Sequence, residues 1–322
     1  MKSTLITLGL LWAVTSMNAQ KINTSGALTP SMLQQIEQSQ PSASTAKALR
    51  NAIASNNIDD LSKNFEHQGS LNTYFSVETP RQNIHDQRSS GRCWMFSGLN
   101  VLRANFAKAH NDTLRVEYSQ AYLFFYDQME KANFMLQNVI DNANKPIDDA
   151  RVQYFFKSPI NDGGTFCGVA DLVDKYGLVP MSVMPETYSS DNTKAISRLI
   201  SSKLREFGLE LRRMVAAEKK ADALKKRKTE MLGTIYHMLV MTMGEPVKSF
   251  TYTFHDKEGK PVGEPRTYTP KQFFEATVGA PINGSSIMIM NDPRRPKHTK
   301  FNTIAIPMTA ITGNILTCLW TK

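Results

Sequence analysis

The chain has 322 residues, of which 41% are hydrophobic and 21% are charged, and its formal net charge is +9. This balance predicts a packed core and excludes a wholly disordered chain. The length suggests about two domains, at roughly 150 residues each. The only cysteines are Cys93, Cys167 and Cys318. Such an odd count argues against a disulfide framework, although a Cys167–Cys318 pair stays open.

Residues 1–19 have the pattern of a secretory signal peptide. Lys2 provides a positive start, residues 5–14 form an apolar run, and Ala19 fits the last position before a cut. The run is too short to span a bilayer, and no later segment approaches the ~20 apolar residues that a membrane helix needs. We therefore expect a protein exported to the periplasm or the extracellular space, with no membrane span.

Residues 20–75 read as an N-terminal arm with little chemistry. They are rich in Ser, Asn, Gln and Ala, and residues 32–49 have weak helical periodicity. A short strand is predicted over residues 74–78, just before the turn at Pro80.

The stretch at residues 87–96, Gln-Arg-Ser-Ser-Gly-Arg-Cys-Trp-Met-Phe, carries the chemistry. Apolar residues recur at helical spacing behind Cys93, which predicts a helix that Ser89 or Ser90 caps. A thiolate in the first turn of a helix is favoured by the partial positive charge there, to which Arg92 would add. Cys93 is thus a candidate nucleophile, and the alternative is a buried structural cysteine.

Gln87 is the candidate partner of this cysteine. Its amide and the backbone N–H of Cys93 can together donate hydrogen bonds to an oxyanion. His85 is also near in sequence, but a base must face the nucleophile across a cleft, so we do not assign it a catalytic role.

Three further segments complete the helical part of the chain. Ser119 is the predicted cap of a long helix with apolar residues through Ile140. A Gly163-Gly164 turn precedes a helix over residues 169–176, which ends with glycine and proline in the expected order. Residues 194–249 form a helical insertion.

The insertion is strongly basic. Residues 203–228 contain ten Lys or Arg and four Asp or Glu. A solvated helix face is the simpler interpretation, and polyanion binding is the alternative. Nucleic acid is not expected, because no aromatic residues interleave with the charges of residues 219–228.

Strand signals dominate from residue 250. Residues 250–254 form a predicted strand, Thr269 caps a predicted helix over residues 270–277, and residues 286–290 form a buried-type strand. The chain therefore belongs to the α+β class, with helices first and strands later.

The motifs resemble those of the papain-like cysteine peptidases, in particular the bleomycin hydrolase and aminopeptidase C branch. The resemblance covers about residues 75–298 and is carried by several stretches of this sequence. They are residues 87–96, the Glu-Tyr-Ser-Gln-Ala-Tyr stretch from Glu117, the pair Gly163-Gly164, Met184-Pro185-Glu186, and the basic helical insertion itself.

The resemblance implies a papain-like fold and thiol-dependent release of N-terminal residues from a peptide substrate. A mainly helical domain (residues 76–193) would face a β-rich domain that begins at residue 250. Cys93 would attack the carbonyl, Gln87 would help to hold the oxyanion, and Gly163, Gly164, Asp162 and Trp94 would bind the substrate. No metal or cofactor is implied. Members of this branch form hexamers, but an incomplete β-rich domain and the loss of the family's C-terminal tail argue against that assembly for this chain.

A cysteine peptidase also needs a histidine base and a group that orients it. The resemblance places both well over a hundred residues beyond the cysteine, and neither His237, His255 nor His298 has the context of that base. We therefore expect a truncated β-rich domain, with an aberrant tail from about residue 301 that a frameshift or a premature stop would explain. A shortened paralogue that binds or regulates a full-length homologue is the alternative.

Overall fold

The computed structural model describes residues 26–40, 44–64, 66, 74–75 and 78–282, together with the strand backbones 288–290, 300–305 and 312–317. The signal-like residues 1–19 lie outside this described part, as do Cys318 and His298. The chain divides into two compact units, one up to residue 75 and one from residue 76.

Three short helices lie in the described part of the first unit. They are α1 (Pro30–Gln38), α2 (Ser44–Ser55) and α3 (Ile58–Leu61). Thr29 caps α1 by accepting a hydrogen bond from Met32 N, and Pro30 fits the first helical position because its missing N–H has no acceptor there. The weak periodicity of residues 32–49 thus belongs to two helices. The described residues of the predicted strand at 74–78 are irregular.

The second unit is mainly helical. Its helices are α4 (Cys93–Ala109), α5 (Gln120–Asp141), α6 (Ala150–Lys157), α7 (Phe166–Tyr176), α8 (Tyr188–Asp191), α9 (Thr193–Ala216), α10 (Ala221–Met243) and α11 (Pro270–Thr277). Ser119 Oγ caps α5 by accepting from Tyr122 N, and Gly177, at φ 81°, ends α7 in a conformation that suits glycine. These sequence predictions are confirmed.

Helix α4 runs through the core, as its apolar spacing predicts. Leu99, Leu102 and Phe106 lie on its buried face. It approaches α7 very closely, because a Cβ added to Gly98 would lie 2.7 Å from Val169 Cγ2. Glycine at this position therefore determines how near the two helices can come.

The helical insertion consists of α9 and α10, which pack against each other and against α5. Each helix buries one apolar stripe at spacings of three and four residues. The buried residues are Ile196, Ile200, Leu204, Phe207 and Leu211 on α9, and Met231, Ile235, Leu239 and Met243 on α10. The predicted insertion is therefore helical, and it extends the core around α5.

An antiparallel sheet follows the insertion. Its strands are β1 (Leu114–Arg115), β2 (Phe250–Asp256) and β3 (Pro261–Tyr268), in the order β1-β2-β3. The turn at residues 257–260 joins β2 and β3, and β3 is a strand that sequence analysis did not predict. Phe273 of α11 packs on this sheet, with its ring 5.4 Å from that of Phe250. Thr269 caps α11 in a capping box, as predicted.

A second sheet lies at the end of the described chain. It contains β4 (Met288–Met290), β5 (Lys300–Ala305) and β6 (Thr312–Thr317), in the order β4-β6-β5. Strand β4 runs parallel to β6, and β5 runs antiparallel to it. The architecture confirms the predicted α+β class. None of the described helices combines the length and the apolar character that crossing a bilayer requires.

The contact between α4 and α7 predicts opposite effects for two identical substitutions. Gly233→Ala on α10 meets nothing within 4 Å, so it should stabilise the protein by about 0.5–1 kcal/mol through helix propensity alone. Gly98→Ala should instead lower the free energy of unfolding by about 1 kcal/mol or more, because overpacking against Val169 outweighs the same gain. Urea unfolding of both variants measures the difference, and equal stability of the two would contradict the close packing.

Candidate active site

Cys93 is the first residue of α4, and its side chain is exposed. Arg92 occupies the N-cap position without a side-chain capping bond. The first N–H groups of a helix have no partner within the helix, and the N–H of Cys93 donates to no acceptor in the described part of the chain. The sulfur therefore lies at a helix start whose donors and partial positive charge are open to an anion.

The predicted serine cap is wrong, and the loop geometry shows why. Ser90 Oγ donates to the carbonyl of Gln87 at 2.6 Å and accepts from Arg92 Nε at 3.0 Å. Ser89 instead forms a parallel backbone bridge with Asn192. Because these serines stabilise the loop, they leave the helix donors free beside Cys93.

Gln87 is half-buried in the same loop. Its Nε2 donates to the Ser90 carbonyl at 2.5 Å, and Ser90 returns a hydrogen bond, so the two residues close a tight turn. Arg88, within this turn, has φ 53°, a left-handed conformation that costs energy for a residue with a side chain. An oxyanion contact would require Gln87 to exchange its bond to Ser90, and its oxyanion role stays a prediction.

Arg92 points away from solvent. Its guanidinium is fully buried, and Nη1 donates to both carboxylate oxygens of Glu186, at 3.0 and 2.8 Å. It lies 5.1 Å from the ring centroid of Phe96 and 5.3 Å from that of Phe124. Since Glu186 balances its charge, Arg92 anchors the loop to the core rather than adding a free positive charge at the thiol.

Trp94 links the nucleophile to the Gly163-Gly164 turn. Its Nε1 donates to the carbonyl of Asp162 at 2.8 Å. Gly164 lies directly against the indole, since a Cβ there would be 2.5 Å from Trp94 Cε2. Gly168 also faces the indole, where a Cβ would lie 3.1 Å from Cζ3. The exposed backbone of Gly164 thus lies on a ring that directly follows Cys93 in sequence.

Gly163 and Gly164 differ in their hydrogen bonding. Gly163 N donates to Asn161 Oδ1 at 3.1 Å, and its carbonyl accepts from Lys131 Nζ at 2.7 Å. Gly164 makes no backbone hydrogen bond within the described part of the chain. Of the two glycines, Gly164 therefore has the backbone groups that an extended peptide could pair with.

A charged group from α5 supports this turn from below, and sequence analysis did not find it. Lys131 is buried, pairs with Asp127 at 2.7 Å and also donates to the carbonyl of Asn161. Burial raises the pKa of Asp127, although Lys131 opposes that shift. A partial signal was present in the sequence, because Asp and Lys four residues apart can pair on one face of a helix.

Asp162 joins the turn to residues 87–92, the cysteine loop. Its Oδ2 accepts from Gly91 N at 2.6 Å and from Thr193 Oγ1 at 2.5 Å. Burial opposes ionisation, but these hydrogen bonds outweigh it and hold the pKa of Asp162 below its ordinary value. The carboxylate that was expected to bind substrate already has two partners within the protein, and substrate binding by Asp162 stays a prediction.

His85 is held by its own neighbours. Its Nε2 lies 3.0 Å from Glu117 Oε2, and its Nδ1 lies 3.2 Å from Gln120 Nε2. Glu117 also pairs with the buried Arg103. Both ring nitrogens therefore face the start of α5, and His85 is not assigned as the base.

The other described histidines lie in other elements of the fold. His110 ends α4, about 25 Å along the axis from Cys93 at 1.5 Å per residue. His237 is exposed on α10, and His255 lies in β2 beside Tyr252. Among the described residues, Cys93 has no hydrogen bond to any histidine.

Comparisons with known proteins identify the family of the chain. Residues 27–317 match the model of the Peptidase C1-like family. The chain belongs to that family. Aminopeptidase C of Lactobacillus delbrueckii subsp. lactis is 37% identical over 247 residues, which cover 77% of this chain and 54% of the relative. Bleomycin hydrolase of Rattus norvegicus is 36% identical over 224 residues, which cover 69% of this chain and 48% of the relative.

The fold is shared as well. A crystal structure of PepW from Lactobacillus rhamnosis HN001 superposes with a TM-score of 0.81 and 30% identity, over 92% of this chain and 66% of that one. The papain-like aminopeptidase C and bleomycin hydrolase branch, expected from the motifs, is thus confirmed. The family match begins in the arm and continues past Lys300, so the range of 75–298 expected for the resemblance was too narrow. The chain spans about half the length of the curated relatives that it matches.

The packing of Gly164 on Trp94 predicts that the two glycines of the turn are not equivalent. A Cβ on Gly164 would overlap the indole, whereas a Cβ on Gly163 would meet only Asn161 Oδ1, at 3.6 Å. We expect Gly164→Ala to lower the free energy of unfolding by about 1–3 kcal/mol and to change the near-ultraviolet circular dichroism of tryptophan. Gly163→Ala, the matched control, should do neither. Equal effects of the two variants would contradict the stacked arrangement.

The lowered pKa of Asp162 predicts a dependence on acid. A carboxylate whose folded pKa lies below its ordinary value stabilises the fold above that ordinary value, and the stabilisation is lost as the pH falls through the folded pKa. Between pH of about 4 and 2, we expect the melting temperature of Asp162→Asn to fall less steeply than that of the wild type. Calorimetric scans across this range test the expectation, and parallel slopes would refute it.

Proposed function

We propose that this chain carries the nucleophile half of a cysteine-type aminopeptidase. The observation that supports it best is the position of Cys93, exposed at the uncapped start of α4 with free helix donors beside it. A thiolate at such a position is stabilised as a nucleophile, and the same donors suit the oxyanion that forms when it attacks a carbonyl. Relatives named aminopeptidase C support the same reaction class.

The substrate in this proposal is an extended peptide. Its backbone would pair with Gly164, whose N–H and carbonyl are unused and which packs against the buried indole of Trp94. Gly163, Asp162 and Lys131 hold the turn in place from the protein side. Gln87 would join the Cys93 N–H at the oxyanion after giving up its bond to Ser90.

The proposal includes a limit on activity. Peptide hydrolysis by a thiol needs a base that removes the thiol proton and later protonates the leaving amine. The described histidines all lie elsewhere, and neither His67 nor His298, which are outside the described residues, is assigned that role. We therefore expect this 322-residue chain, by itself, to cleave peptides slowly. A binding or regulatory role beside a full-length homologue is the second candidate, and it is favoured because Cys93 has no hydrogen bond to a histidine among the described residues.

Polyanion binding by the insertion is less favoured than the sequence alone suggested. Half of the ten basic side chains in residues 203–228 are bound within the protein. Arg227 pairs with Glu210 and Glu230, Arg205 and Arg212 donate to backbone carbonyls, Lys203 pairs with Glu206, and Lys228 donates to Gln137. These bonds favour a solvated helix face that braces α5 and α6. Export directed by residues 1–19 is also proposed, on their composition alone.

An assay with aminoacyl fluorogenic substrates, paired with a thiol-reactive peptide probe, tests the proposal. We expect mass spectrometry to find the probe on Cys93 in the folded chain and not in Cys93→Ala. Turnover should exceed that of Cys93→Ala only slightly, since losing a general base typically costs about 10²–10⁴ in rate.

Two outcomes would change this conclusion. Rapid turnover that Cys93→Ala abolishes would support the peptidase and show that a base is present after all. Absence of both turnover and labelling, in a chain that co-purifies with a full-length homologue, would replace the peptidase proposal with the binding role.

A further inference from the structure

Asp162 contacts three separate segments that meet around the nucleophile. Its Oδ2 accepts from Gly91 N, two residues before Cys93, and from Thr193 Oγ1, at the first residue of α9. Its backbone carbonyl accepts from the indole of Trp94, the residue after Cys93. One residue of the Gly163-Gly164 turn thus holds the chain on both sides of the thiol and joins it to the helical insertion.

We propose that Asp162 is a positioning residue that, with Gly91 and Thr193, holds the start of α4 in the orientation that makes Cys93 reactive and couples this orientation to the helical insertion. Its importance for peptide hydrolysis depends on the function proposed above. Its effect on the reactivity of the thiol does not, and the two can be measured separately.

The geometry at Gly91 supports this role. A Cβ on Gly91 would lie 2.4 Å from Asp162 Oδ1. The carboxylate therefore sits directly against the backbone, where only glycine leaves room for it. Because Gly91 N–H is the donor, the hydrogen bond constrains the peptide plane that leads into the N-cap residue Arg92 and then into Cys93.

The junction between α8 and α9 reinforces the same loop at further points. Ser89 bridges to Asn192, and the buried guanidinium of Arg92 pairs with Glu186. Asp191 Oδ1 lies 3.8 Å from Arg92 Nη2. Residues 186–193 therefore contact the cysteine loop through backbone and side chains, and Thr193 connects the last of these contacts to Asp162.

This arrangement relates the insertion to the chemistry. Helix α9 begins at Thr193 and packs along α5 and α10, so a displacement of its first turn would move a hydrogen-bond donor of Asp162. A helix start favours a thiolate only while its N–H groups are oriented toward the sulfur. A loosened loop would therefore lower the reactivity of Cys93 without removing any group that touches it.

The test measures alkylation of each cysteine by iodoacetamide in the folded full chain, with site-resolved mass spectrometry. Two variants, Asp162→Ala and Gly91→Ala, break the tie from opposite sides, and Thr193→Val removes only the hydroxyl donor. Asp162→Asn and Thr193→Ser are the conservative partners, since each keeps a group that can make the hydrogen bond. Asp149→Ala is the stability control, because it removes the N-cap of α6 and touches no residue of the loop.

We expect alkylation of Cys93 to slow by about tenfold in Asp162→Ala and Gly91→Ala, because both variants disrupt the charge-assisted hydrogen bond between Asp162 and Gly91 N. Thr193→Val should slow it less, and Asp162→Asn and Thr193→Ser should restore most of the rate. Cys167, which is buried, should react as slowly in every variant as in the wild type, and Asp149→Ala should leave the Cys93 rate unchanged.

Three results would overturn the proposal: an unchanged Cys93 rate in Asp162→Ala, a rate that the conservative variants fail to restore, or equal slowing in Asp149→Ala. Faster alkylation of Cys167 in the same variants would be a fourth such result, because it would show general loosening of the fold. Peptide turnover, measured on the same samples, reports on the aminopeptidase proposal alone. Slowed alkylation would keep the positioning role even in a chain without measurable turnover.

Discussion

The second unit is organised around the start of α4, where no side chain caps the first N–H groups. Serine, threonine, aspartate and asparagine are the preferred caps of the first N–H groups of a helix, but at Cys93 such a cap would occupy the donors on which the proposed nucleophile depends. The loop before α4 is therefore held by bonds other than capping of the helix by the hydroxyls of Ser89 and Ser90. Ser90 bonds backward to Gln87, Arg92 turns inward to Glu186, and Gly91 bonds across to Asp162.

Because the helix start is open, its support comes from distant segments of the chain. Lys131 and Asp127 on α5 hold the Gly163-Gly164 turn, and the α8–α9 junction holds the cysteine loop. Most of these contacts involve a charged group that is partly or fully buried and paired. Such groups contribute little net stability, but they specify one arrangement, since leaving any of them unpaired is costly.

Much of the fold was predictable from local patterns. The helices from Cys93, Ser119 and Pro270 follow from apolar spacing and from capping residues whose effect is local. Strand β3 was missed because residues 261–268 combine two prolines, a glycine and charged residues, and only the pairing with β2 makes them a strand. The serine cap failed for a related reason, since a capping residue has several possible partners and tertiary contacts decide among them.

The candidate site, too, was predictable only where local motifs mark its residues. Cys93, Gln87, Trp94 and the two glycines were identified by their motifs, whereas the difference between Gly163 and Gly164 depends on which backbone groups neighbours already use. Lys131 and Thr193 are thirty or more residues in sequence from the residues of the turn that they contact. No local pattern could connect them to the nucleophile.

The missing side chain at Gly98 has a consequence for Cys93. Five residues separate them on one helix, a rise of about 7.5 Å, and the absence of a side chain at Gly98 lets the Val169 side chain of α7 pack directly against the backbone of α4. Helix α7 begins directly after the turn on which Trp94 rests. The position of the thiol relative to Gly164 therefore depends on the packing of Gly98 against Val169. This contact lies inside the core, where neither solvent nor substrate reaches it.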